Sequence, residues 1–411
     1  MLVKLGAYFF SISSRYKSRI KSMKSLLSLK LPTEANDHKL LGNVIADSDV
    51  LAIAQAAQQY HGLTVGVTAD TRHALSLEKK LRQFSPYNVC FFPDWETLPY
   101  DSFSPHQDII SARLSALFFL QQPQQAIFVL PINTLMQRLC PPSFLSNNVL
   151  LIKQGDKLVL DKLRLQLENA GYRAVEQVLE HGEYAVRGSL LDLFPMGSDE
   201  PFRLDFFDDE IDSIRTFDVD SQRTLNKIEK INLLPAHEFP TDDKAIEFFR
   251  GQFRERFEIR RDPEHIYQQI SKGTLVSGVE YWQPLFFESM ANLFDYLPQD
   301  TLFIDYQANQ QRAERFYHDA QQRFESRKVD PMRPLLPPEQ LWLRIDEINR
   351  QLKHYPRITL SEEKLRNSVR QSNLPVSHLP ELTVNAQQKE PLKLLRQFDE
   401  QFDGSLLFSV E

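Results

Sequence analysis

The stretch LTVGVTADTRHALSLEKKLRQFSPYNVCFFP, residues 63–93, decides the fold. LTVGVTA (63–69) is a short, nearly uninterrupted apolar run, as a strand buried on both faces requires. HALSLEKKLRQF (73–84) then places apolar residues three and four apart, the spacing of an amphipathic helix. NVCFFP (88–93) returns to a strand. A helix crossing between two strands implies parallel pairing, with helices covering the faces of the sheet.

The alternation continues in both directions. Upstream, KLLGNVIADSDVLAIAQAAQQYHG (39–62) predicts one amphipathic helix stopped by Gly62. Downstream, SARLSALFFLQQ (111–122) predicts a helix and AIFVLP (126–131) a strand. Near residue 149 the pattern changes. One helix, DKLRLQLENAGY (161–172), leads into short strands at AVRGSLLDLF, FRLDFF, EIDSIRTFD and KIEKINLLP, separated by turn signals such as FDDE and DVDSQ. An antiparallel α+β insertion of about 85 residues in a parallel α/β domain is the expectation. From about residue 238 helices return, at RDPEHIYQQISKG and GVEYWQPLFFESMANLFDYLP, before the strand TLFIDY (301–306). NLPVSHLPELTVNAQQKEP (373–391) reads as a linker, and KLLRQFDEQFDGSLLFSVE (393–411) as a fresh helix, glycine and strand opening a further small domain.

The expected organisation is therefore a basic leader at 1–30, an α/β domain in two pieces (31–148 and 237–370), an insertion at 149–236, a linker at 371–390 and the start of another domain at 391–411. The leader holds seven basic side chains and no acid, with Met23 inside it, and is expected to be disordered or to reflect a start site placed too early. No stretch approaches the roughly 20 apolar residues of a membrane helix, so a soluble, cytoplasmic chain with no membrane partner is expected. Cys90 and Cys140 lack any CxxC or metal spacing and are expected to be reduced core thiols. A net charge of -7 leaves room for nucleic-acid contact only in local patches.

A parallel α/β sheet invites a phosphate-binding loop, but the dipeptide Gly-Lys never occurs. Without it, phosphates have neither an N–H cradle nor a counter-charge. LLGNVIADSDV (40–50) takes the place of such a loop and offers a lone Gly42 and two aspartates. In TLFIDY, Asp305 is followed by Tyr306 where a second acid would orient water, so the two read as remnants of an ATPase motif. LWLRIDEI (341–348) mimics a strand ending in Asp346 and Glu347, yet PPEQ before it predicts a helix with solvated acids. DDEID (208–212) is expected to be a solvated turn, since it lacks the alternating acids and central glycine of a calcium loop. No HExxH or GxSxG occurs, and His181 beside Gly182 is expected in a loop. No catalytic residue, metal site or cofactor emerges for this chain.

The strands of the insertion are more informative. Alternate residues of a strand face opposite sides. RLDFF (203–207) turns Leu204 and Phe206 to the core and Arg203, Asp205 and Phe207 to the other face. In EYAVRGSLL (183–191), Tyr184 and Val186 point inward and Arg187 outward, with Gly188 as a candidate bulge. Arginine and exposed aromatics dominate protein-binding hot spots. From pattern alone, docking remains open beside the blander reading of surface charges and a phenylalanine packed under a loop.

FPDWETLPYDSFSPHQDIISARLSAL (92–117), GEYAVRGSLLDLFP (182–195), RLDFFDDEIDSIRTFDVDSQRT (203–224) and GVEYWQPLFFE (278–288) resemble the N-terminal region of the transcription-repair coupling factor (Mfd) family, over about residues 23–411. The resemblance implies a degenerate helicase-type, UvrB-like α/β domain that has lost the ATPase motifs. It further implies that the insertion binds the excision-repair protein UvrA through Arg187, Arg203 and Phe207. A full-length member would add an RNA-polymerase-interacting domain, a double-stranded-DNA translocase using ATP and magnesium, and a C-terminal domain that masks the UvrA site. The chain itself would act as a monomeric binding module. An active UvrB-like, ATP-dependent helicase half and a DNA-binding module are the rival expectations.

Overall fold

The computed structural model describes residues 27, 29–122, 125–378, 380, 382 and 392–402. Nearly all of the basic leader, most of the 379–391 linker stretch and the C-terminal strand expected at 405–411 lie outside these residues.

Four strands, β1 (His38–Gly42), β2 (Leu63–Thr68), β3 (Asn88–Phe91) and β4 (Ala126–Pro131), alternate with helices α1 (Ser48–Gln59), α2 (Thr71–Phe84) and α3 (Gln107–Leu120). Every residue of β2 and β4 is buried, which is why both read as continuous apolar runs. The Asp70 side chain accepts from the His73 backbone N–H and so starts α2. The insertion contributes β5 (Leu150–Lys153), β6 (Arg173–Ala174), β7 (Glu183–Arg187), β8 (Leu190–Phe194), β9 (Phe202–Phe207), β10 (Glu210–Phe217), β11 (Thr224–Ile228) and β12 (Lys230–Leu233). After it come β13 (Leu302–Tyr306), β14 (Arg357–Leu360) and β15 (Gln371–Asn373).

The first sheet has seven parallel strands in the order β15-β1-β14-β13-β2-β4-β3. The second has the order β11-β10-β9-β8-β7-β6 and is antiparallel except for β6 against β7. At the neck of the insertion β5 pairs antiparallel with β12, so the segments that enter and leave it lie side by side.

Three expectations are corrected. Residues 39–62 are not one helix: His38–Gly42 form β1, inside the parallel sheet, and the helix starts at Ser48. β1 draws its burial from β14 and β15, more than 300 residues downstream, and no local periodicity encodes that. Gly42 is required by close packing, since a Cβ there would sit 2.5 Å from the Glu363 carbonyl oxygen. Residues 279–286 and 293–296 are 3₁₀ turns and not α-helix, the first containing Pro284, which supplies no N–H. In LWLRIDEI, Leu341–Leu343 are buried and non-helical, with Trp342 bridged to Gln137, and the helix begins only at Ile345.

One hydrophobic cluster runs through the insertion and into the α/β domain. At its centre the fully buried Arg113 of α3 donates to Glu238 Oε1 at 2.6 Å and to the Pro93 carbonyl at 2.7 Å. Trp95 Nε1 donates to the other Glu238 oxygen at 3.1 Å. Breaking one partner of such a buried pair typically costs about 3–5 kcal/mol, so this contact fixes the insertion's return segment against α3.

Candidate partner-docking site on the inserted sheet

β7 and β8 form a hairpin closed by a two-residue turn, with Arg187 paired to Leu190. Gly188 leads that turn at φ +63°. It is therefore a hairpin turn residue and not a bulge, chosen because glycine alone enters that conformation without strain. The turn holds Arg187 at the end of its strand.

The period of two places side chains as expected. Leu204 and Phe206 are core residues, and Phe207 on the opposite face is 76% exposed. Arg187 lies on that same outer face with its side chain 51% exposed, and Arg203 is 19% exposed. Along β9, Arg203 and Phe207 are separated by about 14 Å at 3.4 Å per residue.

The residue that sequence reasoning missed is Asp192. It stands on β8 directly opposite Arg203 of β9 and is 1% exposed. Arg203 Nε donates to Asp192 Oδ1 at 2.7 Å and Arg203 Nη2 to Oδ2 at 2.9 Å, a two-pronged contact. Arg187 Nη2 donates to the same Oδ2 at 2.6 Å. Arg203 Nη1 reaches the Gln222 carbonyl at 3.3 Å, and its guanidinium lies 5.0 Å from the centre of the Phe217 ring. Hydrogen bonding to Asp192 pushes the Arg203 guanidinium above its already high range, so the cation is permanent. Two arginines share one carboxylate, which leaves the cluster one positive charge in excess. The only hint in the sequence was an acid inside the apolar run LLDLF.

Asp305 and Tyr306 belong to a different place, the carboxyl end of the parallel sheet. The Tyr306 hydroxyl donates to Asp49 Oδ2 at 2.7 Å, and His73 Nε2 lies 3.2 Å from the same oxygen. Burial works to raise the Asp49 carboxyl, but hydrogen bonds from His73, Tyr306 and the Val50 N–H together hold it below its usual range. Burial and the Asp49 charge push the Tyr306 hydroxyl well up. Asp305 is raised by burial, against the opposing charge of Arg357 and a hydrogen bond from Thr359 Oγ1 at 2.5 Å. Between β1 and α1, where a phosphate loop would lie, the backbone N–H groups are directed to internal acceptors: Asn43 to Glu363 O, Val44 to Ser361 O and Ile45 to Ser48 Oγ. The Asn43 side chain ties the loop to the Leu374 and Val376 carbonyls at 2.9 Å each.

Asp346 is exposed on its helix; of DDEID only Asp208, at φ +55°, and Asp209 form the expected turn, while Glu210–Asp212 already belong to β10, with Ile211 buried against Phe206. His181 bridges the two sheets' domains, pairing with Asp108 at 2.8 Å and the Ser198 carbonyl at 2.7 Å. Cys90 and Cys140 are unpaired thiols, each pushed up to about 12 by burial. Among the described residues, no group of three or more His, Cys, Asp or Glu is placed to hold a metal, and no helix is long and apolar enough to cross a membrane.

Residues 150–239 match a family profile described as the UvrB interaction domain. The chain is 72% identical over 382 residues to the transcription-repair-coupling factor of Haemophilus influenzae, covering 93% of this chain and 33% of the relative. It is 56% identical over 382 residues to that of Escherichia coli, with the same coverage, and 27% identical over 305 residues to that of Rickettsia conorii, covering 72% and 27%. The chain spans about a third of the length of its two most similar relatives among these. A helicase-type parallel sheet, an insertion matching the UvrB interaction domain and these identities together place the chain in the transcription-repair-coupling factor (Mfd) family, as its N-terminal region.

Proposed function

We propose that this chain is the UvrA-recruiting module of a transcription-repair coupling factor and that it acts by binding and not by catalysis. The observation that carries the reading is the cluster on the inserted sheet, where Asp192 holds Arg187 and Arg203 on one face with the exposed Phe207. Pre-oriented arginines beside an exposed aromatic are what hot spots are made of. In a full-length member, other domains would use ATP and magnesium to move on double-stranded DNA and release stalled RNA polymerase, while this region brings in nucleotide excision repair. Residues 31–148 and 237–370 serve as the scaffold and 149–236 as the adaptor.

The alternative is a working ATP-dependent helicase half. The strand–loop–helix order of β1 and α1, with Asp305 at the end of β13, favours it. Against it, the loop N–H groups have internal acceptors, and Asp49 with Tyr306 puts negative charge where phosphate would sit. Calorimetric titration of UvrA tests the adaptor reading, using the wild-type chain and an Arg187→Ala/Arg203→Ala/Phe207→Ala variant whose folding is confirmed by circular dichroism. Binding lost only in the folded triple variant supports it, and equal binding by both overturns it. ATP hydrolysis by the chain alone would establish the alternative.

A further inference from the structure

The trio of Arg187, Arg203 and Phe207 does not account for two more cations on the same face. In register across the sheet, Asp192 of β8 faces Arg203 of β9, Arg203 faces Arg215 of β10, and Arg215 faces Lys227 of β11. At about 4.8 Å between strands, these four residues form one row roughly 14 Å long. The neighbouring row fixes the orientation, because Ile214, paired with Leu204 and Ile228, is a core residue on the other side. Arg203 shares the Asp192 carboxylate with Arg187, whereas Arg215 and Lys227 are exposed and, among the described residues, take part in no ion pair.

Like charges directly opposite on neighbouring strands destabilise a sheet, so this row is a poor solution for a merely soluble surface. Lys227 has a second possible task, since β11 is the edge strand and lysine there discourages edge-to-edge pairing. Arg215 sits on an interior strand, and edge protection does not explain it. A partner footprint of about 800 Å² has a radius of roughly 16 Å, wide enough to reach from the Arg187 and Phe207 face to Arg215 at its rim. Covering an arginine without a counter-charge is costly.

We propose that the docking face continues over β10 and β11 through Arg215 and Lys227, and that the protein partner meets this row with carboxylates. The proposal rests on the docking reading above and adds the chemistry of the partner's surface. Arg215 and Lys227 contribute mainly to the rate of association, as charges at the rim of an interface do.

The test is association kinetics of UvrA with the wild-type chain and with Arg215→Ala, Arg215→Glu/Lys227→Glu and Arg187→Ala variants, at low and high salt. Arg215→Ala should slow association about three- to tenfold at low salt and much less at high salt, where exposed charges are screened. The double reversal should slow it more than about tenfold and flatten its salt dependence. Arg215→Ala should melt at or slightly above the wild-type temperature, because its repulsion with Arg203 and Lys227 is relieved; a purely structural role would lower it. UvrA binding by the double reversal within about twofold of wild type, with Arg187→Ala defective, overturns the extension and leaves the docking reading standing. Full binding by all variants removes the docking reading itself. Duplex DNA captured through Arg215, with UvrA binding unchanged, overturns a protein partner for the row.

Discussion

Two aspartates organise two clusters in this molecule, and they face opposite ways. Asp192 is buried, but its partners are arginines that lead outward to the sheet surface, where Arg187 is half exposed. Asp49 is buried too, but its partners, Tyr306 and His73, fold back over it and close the space at the carboxyl end of the parallel sheet. A buried carboxylate can prepare a surface for something else or complete an interior. What decides is whether its partners bring surplus charge to solvent. On that measure the first cluster is the one proposed to bind, and the second is a structural closure.

The comparison is broken most directly by removing arginines. Arg203→Ala is expected to weaken UvrA binding by about 2–4 kcal/mol if it is a central hot spot, read by calorimetry, with Arg187→Ala costing somewhat less because of its greater exposure. Asp192→Asn sharpens the same side. It should weaken binding by about 1–3 kcal/mol, and Arg187→Ala should cost less in the Asp192→Asn background than in wild type, the sign of a coupled cluster in a double-mutant cycle. On the other side, Tyr306→Phe should lower stability to urea by about 1 kcal/mol and leave UvrA affinity untouched. A binding defect in Tyr306→Phe would abolish the division between the clusters.

The smallest expected effect is in pH. Burial opposes it, yet the net result of its hydrogen bonds is an Asp49 carboxyl below its usual value, so its contribution to stability is present above about pH 4 and fades as pH falls through the lower folded value. Wild type should therefore exceed Asp49→Asn in stability at pH 7, and the gap should narrow under acid. A gap that widens under acid would contradict the assignment.

How much of this was legible depends on the range over which each feature is encoded. The outward face of β9 follows from a period of two within five residues, and Arg203 and Phe207 fall where that period puts them. Asp192 was overlooked because its meaning lies in register: Arg203 stands opposite it only once β8 and β9 have paired. The sequence marks Gly188 as special for its backbone, but bulge and turn differ in pairing, which a single strand cannot reveal. β1 is hidden for the same reason on a longer scale, and its two-residue apolar run, Leu40–Leu41, fits a helix as well as a strand.

The paired neck of the insertion has a consequence for inheritance. Leu150 and Leu233 face each other across β5 and β12, so some eighty residues leave and re-enter the scaffold at one spot. Closing a loop whose ends already touch adds little entropic cost as the loop grows. A unit attached in this way can be gained, exchanged or grafted without re-threading its host, provided that the graft keeps Glu238, just beyond the neck, to meet Arg113. The inserted unit can thus change as a cassette while the parallel sheet beneath it stays as it is.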